Sequence, residues 1–425
     1  MNQRIIIILC LLLGIPFSLQ AQCDGARFKE KIFDQIIQVN NILYGSNYNN
    51  LGEKEDLYMD ISMPDPNMDT LHERPLIIMM HGGAFVAGDK DVSTMLFMRD
   101  EYARRGYVIA SIQYRLEKSN FIDSLPILEF ASKANWYQAI IRAVQDVKGA
   151  IRYLKYTYAE EQNPFGIDTS NITLYGSSAG AISIIHAVYL DPTDSISGTW
   201  NSSIIKLGGL EGTTSSHNQY GSVNTVKNLI VDSGALGKAF WIQQKNDVAV
   251  LALHHNADPS VPYGHGCFYV AACHLGKFDG PQIYVPWLEN IHNRVEKYVV
   301  WGAAHPVDDL DPQFALEKGV AFLYQSQCDY YGEDTTVSTG IFAKKKTTQF
   351  QIYPNPNSGS FRIANAQLQR GDLIQISTIL GQVIYSEPIN NENQTIRIDI
   401  PPGVYQVSIY NQSGIKGISR LVVQQ

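Results

Sequence analysis

Ser178 stands at the centre of Gly176-Ser177-Ser178-Ala179-Gly180, between the apolar run Ile172-Thr173-Leu174-Tyr175 and the helix-like stretch Ala181 to His186. A serine in a G-x-S-x-G turn from strand to helix projects its hydroxyl from a corner too tight for neighbouring Cβ atoms. There an adjacent base can take its proton and make it a nucleophile. Chance alone gives roughly 0.1 to 0.2 such matches in a chain of this length at ordinary Gly and Ser usage. The weight therefore falls on three other stretches. His81-Gly82-Gly83-Ala84-Phe85 follows an apolar run ending at Met80, and His254 to Pro262 follows another ending at Leu253. The third, Gly302-Ala303-Ala304-His305-Pro306, follows Tyr298 to Trp301. Together they supply glycines whose amides can turn toward a developing oxyanion, an acid, and an imidazole base.

Each stretch resembles a known catalytic element. His81 to Ala84 is similar to the H-G-G-G or H-G-G-A oxyanion loop of esterases and lipases. From it Gly83, with Gly82 and Ala84 beside it, is expected to donate alongside the N–H of Ala179. The segment His254-His255-Asn256-Ala257-Asp258-Pro259-Ser260-Val261-Pro262 resembles the H-G-x-x-D-x-x-V-P acid segment of many α/β-hydrolases. Asp258 is the expected acid and Asp232 its rival, while His255-Asn256 departs from the usual Gly plus small residue. Of ten histidines, His305 fits the base by its place after the last strand and before the terminal helix. The order Ser178, Asp258, His305 is that of α/β-hydrolases and not of the chymotrypsin or subtilisin classes.

Over roughly Leu57 to Leu323 the chain thus resembles the carboxylesterase and feruloyl-esterase-like branch of the α/β-hydrolase superfamily. Leu57 to Pro64 and Ile112-Gln113-Tyr114-Arg115 add to the likeness, with Gln113 standing where the family has Asn. The resemblance implies hydrolysis of carboxylic esters through an acyl-enzyme, without a metal or organic cofactor. A serine peptidase of the same fold and a catalytically silent surface-binding protein are the alternatives. Phe85, Trp136, Trp241 and Tyr263 are candidates to contact substrate, although each could equally pack the core. Leu116–Asn135 and Ser195–Asn218 could roof the pocket. Arg142, Asp146 and Arg152 read as structural ion pairing.

The elements that must position these residues are legible in the hydrophobic pattern. Leu76–Met80, Tyr107–Ile112, Ile172–Tyr175, Leu229–Asp232, Val248–Leu253 and Tyr298–Trp301 are continuous apolar, β-rich runs, as expected of parallel strands covered on both faces. Between two of them, Ile140, Val144, Val147, Ile151 and Leu154 line one face of a helix spanning Trp136 to Tyr158. A second helix runs from Pro312 to Ser326. Alternation of this kind predicts an α/β fold, a doubly wound and mostly parallel sheet, with ligands at the carboxyl ends of its strands.

Residues 1–21 read as a secretory signal: Arg4 precedes Ile5–Phe17, a run too short to cross a bilayer about 30 Å thick. A lipoprotein would use Cys23, but Gln22 sits where a small residue is wanted. No later stretch reads as a membrane helix. Of the five cysteines Cys10 lies in the signal, leaving Cys23, Cys267, Cys273 and Cys328 in an oxidising compartment. Three pairings are possible. Cys267–Cys273 with Cys23–Cys328 is favoured, and four unpaired thiols remain the alternative. Absence of C-x-x-C or His/Cys spacing argues against a metal site. The 33 Lys and Arg against 41 Asp and Glu give a net charge of −8 with no basic run, which argues against nucleic acid.

The α/β part is expected to occupy residues 22–331, followed by a linker over 332–349 that lacks apolar periodicity. Residues 350–425 read as short strands and turns, a small all-β sandwich. Tyr353-Pro354-Asn355-Pro356-Asn357-Ser358-Gly359 matches the Y-P-N-P-x-x-G signature, so this tail resembles the C-terminal sorting domain of the type IX (Por) secretion system. That likeness implies passage through the periplasm and outer membrane of a Gram-negative bacterium by way of the secretion machinery. The alternative is a carbohydrate-binding or adhesive module.

Overall fold

The computed structural model describes residues 26–424 apart from 70, 119–131, 192–195, 197, 244–247, 333–349, 365–371, 379–382, 390–394 and 412–413. The expected signal at 1–21, Cys23, and the expected linker but for its first residue lie outside the described residues, as does most of the expected roof 116–135. Two compact units divide the chain, Met1–Asp334 and Thr335–Gln425.

In the first unit, in chain order, β1 (Ile36–Tyr48), β2 (Lys54–Pro64) and β3 (Arg74–Met80) precede α1 (Ser93–Ala103) and β4 (Val108–Ile112). Then come α2 (Lys133–Glu160), β5 (Ile167–Ser177), α3 (Ala179–Tyr189), α4 (Thr199–Lys206), β6 (Val226–Asp232) and β7 (Ala249–His255). A short pair, β8 (His265–Cys267) and β9 (Lys277–Asp279), precedes α5 (Pro281–Asn290), β10 (Val295–Val300), α6 (Val307–Leu310) and α7 (Pro312–Gly332). The main sheet has the order β1-β2-β4-β3-β5-β6-β7-β10. Six strands from β4 to β10 run parallel, and β1 and β2 extend the sheet antiparallel at one edge.

Why this sequence makes a sheet covered on both faces is visible within β3. Successive side chains of a strand point to opposite faces. Leu76, Ile78 and Met80 enter one core with α2 and α3, while Ile77 and Met79 enter the other with α1 and α7. β7 does the same with Val250 and Ala252 against Leu251 and Leu253. Burial of each such side chain is worth about 1.5 to 3 kcal/mol, so neither face can be left open.

α2 begins where the Ser132 hydroxyl caps the Asn135 N–H at 3.2 Å. Its apolar face packs on the sheet, and its far side is covered too, so its charged residues need partners. Those partners come from other segments and not from the helix itself. Asp146 receives Arg115 at 2.7 Å, Arg142 pairs with Glu117, and Arg152 with Glu211 at 2.7 Å. The expected roof segment 195–218 contains α4, whose Trp200 packs inward against Tyr137 and Trp241.

The second unit holds β11 (Gln351–Tyr353), β12 (Ser360–Ala364), β13 (Leu373–Thr378), β14 (Val383–Pro388), β15 (Thr395–Arg397), β16 (Gly403–Asn411) and β17 (Gly414–Val423). They form two antiparallel sheets, β11-β12-β15 and β14-β13-β16-β17. Phe361 and Ile396 from one share a core with Ile374, Val407 and Leu421 from the other, which makes a sandwich. The motif asparagines stitch it shut: Asn355 accepts the Val422 N–H at 2.7 Å, and Asn357 Oδ1 accepts the Gly359 N–H at 2.8 Å.

Candidate active site

Ser178 lies directly after β5, with φ 51° and ψ −114°, a conformation that side chains rarely adopt. The turn is possible because its flanking glycines permit close backbone approach. A Cβ on Gly180 would stand 2.2 Å from the Met80 carbonyl oxygen, and one on Gly176 would stand 2.5 Å from the Ala181 nitrogen. The Ser178 N–H donates to the Asp232 carbonyl at 2.8 Å, and its carbonyl accepts the Ile182 N–H at 2.9 Å to start α3. Strain is thus held in place by a strand on one side and a helix on the other.

Ser178 Oγ is 2.7 Å from His305 Nε2, and His305 Nδ1 is 2.7 Å from Asp258 Oδ2. A carboxylate only accepts, so Nδ1–H donates to Asp258 and Nε2 is left to accept the serine proton. Asp258 is itself anchored, its Oδ1 receiving the N–H groups of Ser260 at 2.7 Å and Val261 at 2.9 Å. Both loops leave the carboxyl ends of neighbouring parallel strands, Asp258 after β7 and His305 after β10. Asn256, the departure noted in the acid segment, binds them together: its Oδ1 accepts the Gly302 N–H at 2.9 Å, and its N–H donates to Val300 at 3.0 Å. A hydroxyl, an imidazole and a carboxylate in this order can generate an alkoxide-like nucleophile and hold the imidazolium that results.

The glycine loop packs against the same serine. A Cβ on Gly82 would lie 3.2 Å from the Ser178 Cβ. Ala84 and Phe85 follow with φ 52° and 64°, and Val86 and Ala87 both donate to the Gly83 carbonyl at 3.0 Å. That turn directs the chain so that the Gly83 and Ala84 N–H groups have no protein acceptor among the described residues. Ala84 and Ala179 are among the residues that line the cavity at Ser178, and Gly82 and Gly83 precede Ala84 in the loop without lining it themselves. Tyr114 fixes the loop from below, donating to the His81 carbonyl at 2.9 Å with its ring stacked 4.5 Å from the His81 ring.

The cavity holds about 240 Å³ of open space, its mouth included. Phe85, Trp136, Ile182, Val261, Phe268 and Tyr269 wall it with apolar surface. Phe85 and Trp136 are among the candidates the sequence offers; Phe268 and Tyr269 are not, and the cysteine spacing marks only the loop that carries them. Cys267 and Cys273 are joined, closing the loop that presents both aromatics. Cys328 is also disulfide-bonded, and Cys23, its expected partner, lies outside the described residues. Trp241 and Tyr263 do not reach the cavity: Trp241 packs on Trp200 at 5.4 Å, and Tyr263 stands 5.8 Å from the His254 ring.

Other histidines have structural partners. His186 Nδ1–H donates to Ile182 at 2.7 Å and its Nε2 accepts the Gly237 N–H at 2.9 Å, while burial lowers its pKa to about 4. His254 lies 3.4 Å from Asp258, yet burial lowers it to about 4 as well and its Nε2–H goes to the Val261 carbonyl at 3.1 Å. Asp232 does not contact His305 and instead accepts the N–H groups of Val307 and Asp308 at 3.0 and 2.9 Å. Among the described residues no group of three or more His, Cys, Asp or Glu could hold a metal ion, and no helix is long and apolar enough to cross a membrane.

Comparison with known proteins finds one family match within each of the two units. Residues 26–236 match the carboxylesterase family, and residues 351–424 match the secretion system C-terminal sorting domain. The chain carries a carboxylesterase-family domain of the α/β-hydrolase class followed by a sorting domain of that kind. The matched esterase stretch contains the glycine loop and Ser178 and ends before Asp258 and His305. Bile salt-activated lipase of Mus musculus is 30% identical over 141 residues, 32% of this chain and 21% of that protein. Para-nitrobenzyl esterase of Bacillus subtilis (strain 168) is 29% identical over 144 residues, 31% of this chain and 24% of that protein. The chain therefore spans less than a quarter of the length of these relatives. Thermogutta terrifontis esterase 2 phosphorylated by paraoxon aligns over 68% of this chain and 94% of that one, at 19% identity and a TM-score of 0.46.

Proposed function

We propose that the first unit hydrolyses carboxylic esters through an acyl-enzyme, with Ser178 as nucleophile, His305 as general base and Asp258 as its orienting acid. The observation that carries this is the unbroken chain of two 2.7 Å hydrogen bonds from Ser178 Oγ through the imidazole to Asp258, ending beside amides without acceptors. His305 Nε2 takes the Ser178 proton as Oγ attacks the ester carbonyl. The carbonyl oxygen becomes an alkoxide facing the N–H groups of Ala179, Gly83 and Ala84, and each such preorganised donor is worth about 3 to 4 kcal/mol of barrier. The imidazolium returns its proton to the departing alcohol as the C–O bond breaks. Water, deprotonated by the same nitrogen, then attacks the acyl-enzyme and releases the acid.

The small apolar cavity favours short acyl groups, acetate before butyrate. The sorting domain supports export to the cell surface or medium, by passage through a Gram-negative periplasm and outer membrane, with loss of the tail on the way. A fluorophosphonate probe forms a stable adduct only with an activated serine. Stoichiometric labelling of the wild type, none of Ser178→Ala, and turnover of p-nitrophenyl acetate without turnover of p-nitroanilide peptides are the expected results. Anilide turnover without ester turnover would make the protein a peptidase, and an unlabelled wild type would leave a silent scaffold.

A further inference from the structure

Beneath the site, two carboxyl groups are fully buried at the point where the serine and histidine segments meet. Asp232 ends β6 and pairs with Ser177 across the sheet. Its carbonyl accepts the N–H of Ser178 at 2.8 Å, and its carboxylate accepts the N–H groups of Val307 at 3.0 Å and Asp308 at 2.9 Å, with the Ser233 hydroxyl at 2.9 Å. One residue thus touches the backbone of the serine itself and the backbone two and three positions past His305. Asp308 closes the circuit in the other direction. Its carboxyl accepts the Ser177 hydroxyl and the Tyr175 hydroxyl, both at 2.7 Å, so the base segment is tied back to two residues at the end of β5.

Among the described residues neither carboxyl has a cationic partner. Burial raises both from the usual carboxyl range, Asp308 to about 6, with mutual repulsion adding to the rise of Asp232. A pair of buried carboxyls without a cation is an expensive way merely to fill a core, because hydrophobic side chains of similar volume do so without desolvating charge. What the carboxyls provide is a fixed separation between two loops that no apolar contact could define as sharply.

We propose that Asp232 is a positioning residue for ester hydrolysis, its main chain holding the serine turn and its carboxylate holding the histidine segment, so that the Oγ to Nε2 distance is set from below. This rests on the assignment of Ser178 and His305 as nucleophile and base. A displacement of about 1 Å between reacting groups can reduce a rate on the order of 100-fold. Asp232→Asn keeps the shape but turns an N–H₂ toward one of the amides it now accepts, which should push the histidine segment away.

The test counts active sites with the fluorophosphonate probe, so that folded fraction and intrinsic rate are separated. For Asp232→Asn we expect complete labelling at a slower rate, kcat per labelled site on p-nitrophenyl acetate reduced 10- to 100-fold, and KM within about threefold of wild type. Ser177→Ala, which removes a single donor from Asp308 at little change in volume, breaks only the return link to β5 and should lower kcat per site 3- to 10-fold in the same manner; if Asp232→Asn does not fold, Asp232→Glu, which keeps the carboxylate and displaces it, is measured in its place with the same expectation. A kcat per labelled site within twofold of wild type in the folded variants would reduce Asp232 to a purely structural role. Failure of the nucleophile assignment is separate and would appear as an unlabelled wild type or an active Ser178→Ala.

Discussion

Asp258 and His305 are 47 residues apart in the chain and 2.7 Å apart in space. The carboxylate cannot rotate away, because its other oxygen is pinned by two N–H groups of its own turn. Nor is it drawn off by His254, which burial keeps neutral and whose N–H is directed to Val261. The imidazole of residue 305 is therefore fixed in the tautomer that leaves Nε2 free for the serine.

Replacing Asp258 with Asn presents an amide to Nδ1 and permits the opposite tautomer. We expect kcat on p-nitrophenyl acetate to fall about 10³- to 10⁴-fold with KM little changed. A loss below tenfold in steady-state kinetics would mean that another group orients His305.

Removing the hydroxyl of Ser178 should eliminate turnover, by about 10⁵-fold or more, and all fluorophosphonate labelling. The two small replacements should differ in stability. Ser178→Ala keeps a Cβ at φ 51°, whereas Ser178→Gly relieves it, so the glycine variant should unfold at higher urea by about 1 kcal/mol. Equal midpoints would show that the turn stores no strain.

Phe268 packs 4.9 Å from Trp136 and 4.5 Å from Phe278 and lines the cavity. Phe268→Ala should raise kcat/KM for p-nitrophenyl butyrate relative to acetate about 10-fold or more, since each methylene accommodated is worth roughly 1 to 3 kcal/mol. The same change should reduce stability by about 3 to 5 kcal/mol. An unchanged acyl profile would place the acyl chain elsewhere.

The Cys267–Cys273 bridge closes a loop with a sequence separation of 6. Chain entropy for so short a loop amounts to about 2 kcal/mol. In a Cys267→Ser/Cys273→Ser double variant we expect that loss in urea unfolding. KM should rise more than kcat falls, because the loop carries pocket walls and no residue of the Ser178, His305, Asp258 chain. A change in kcat alone would contradict this.

His186 is buried as the neutral imidazole, with its pKa lowered by burial from the ordinary 6.5 to about 4. Between those values the unfolded chain binds the proton and the folded one does not, so its stabilising contribution is present above pH 6.5 and is lost as pH falls toward 4. The stability difference between wild type and His186→Gln should therefore shrink by on the order of 3 kcal/mol from pH 7 to pH 4, read from urea midpoints. Asp308 titrates with the opposite sign in the same range, and only the difference between the two proteins isolates the histidine. A pH-independent difference would mean that His186 titrates normally.

The parallel sheet was readable because burial on both faces forces continuous apolar runs, as in Leu76–Met80. β1 was not: with most of its side chains only partly buried or exposed, it shows no such run. The serine turn and the glycine loop could be found because their backbones demand particular residues at fixed spacing. Phe268 and Tyr269 could not, since nothing local distinguishes an aromatic facing a cavity from one in a core. Trp241 illustrates the converse, a candidate aromatic that packs on Trp200.

Local pattern alone thus determined the parallel strands, the strained serine turn and the motif-bearing tail, because each is written in contiguous residues. Only the tertiary structure decided that Asp258 and not Asp232 faces the imidazole, that Asn256 ties the two loops, and which side chains close the cavity. Those outcomes depend on which strand ends lie side by side, and the order of strands in a sheet is set by long-range packing that no short window of sequence contains.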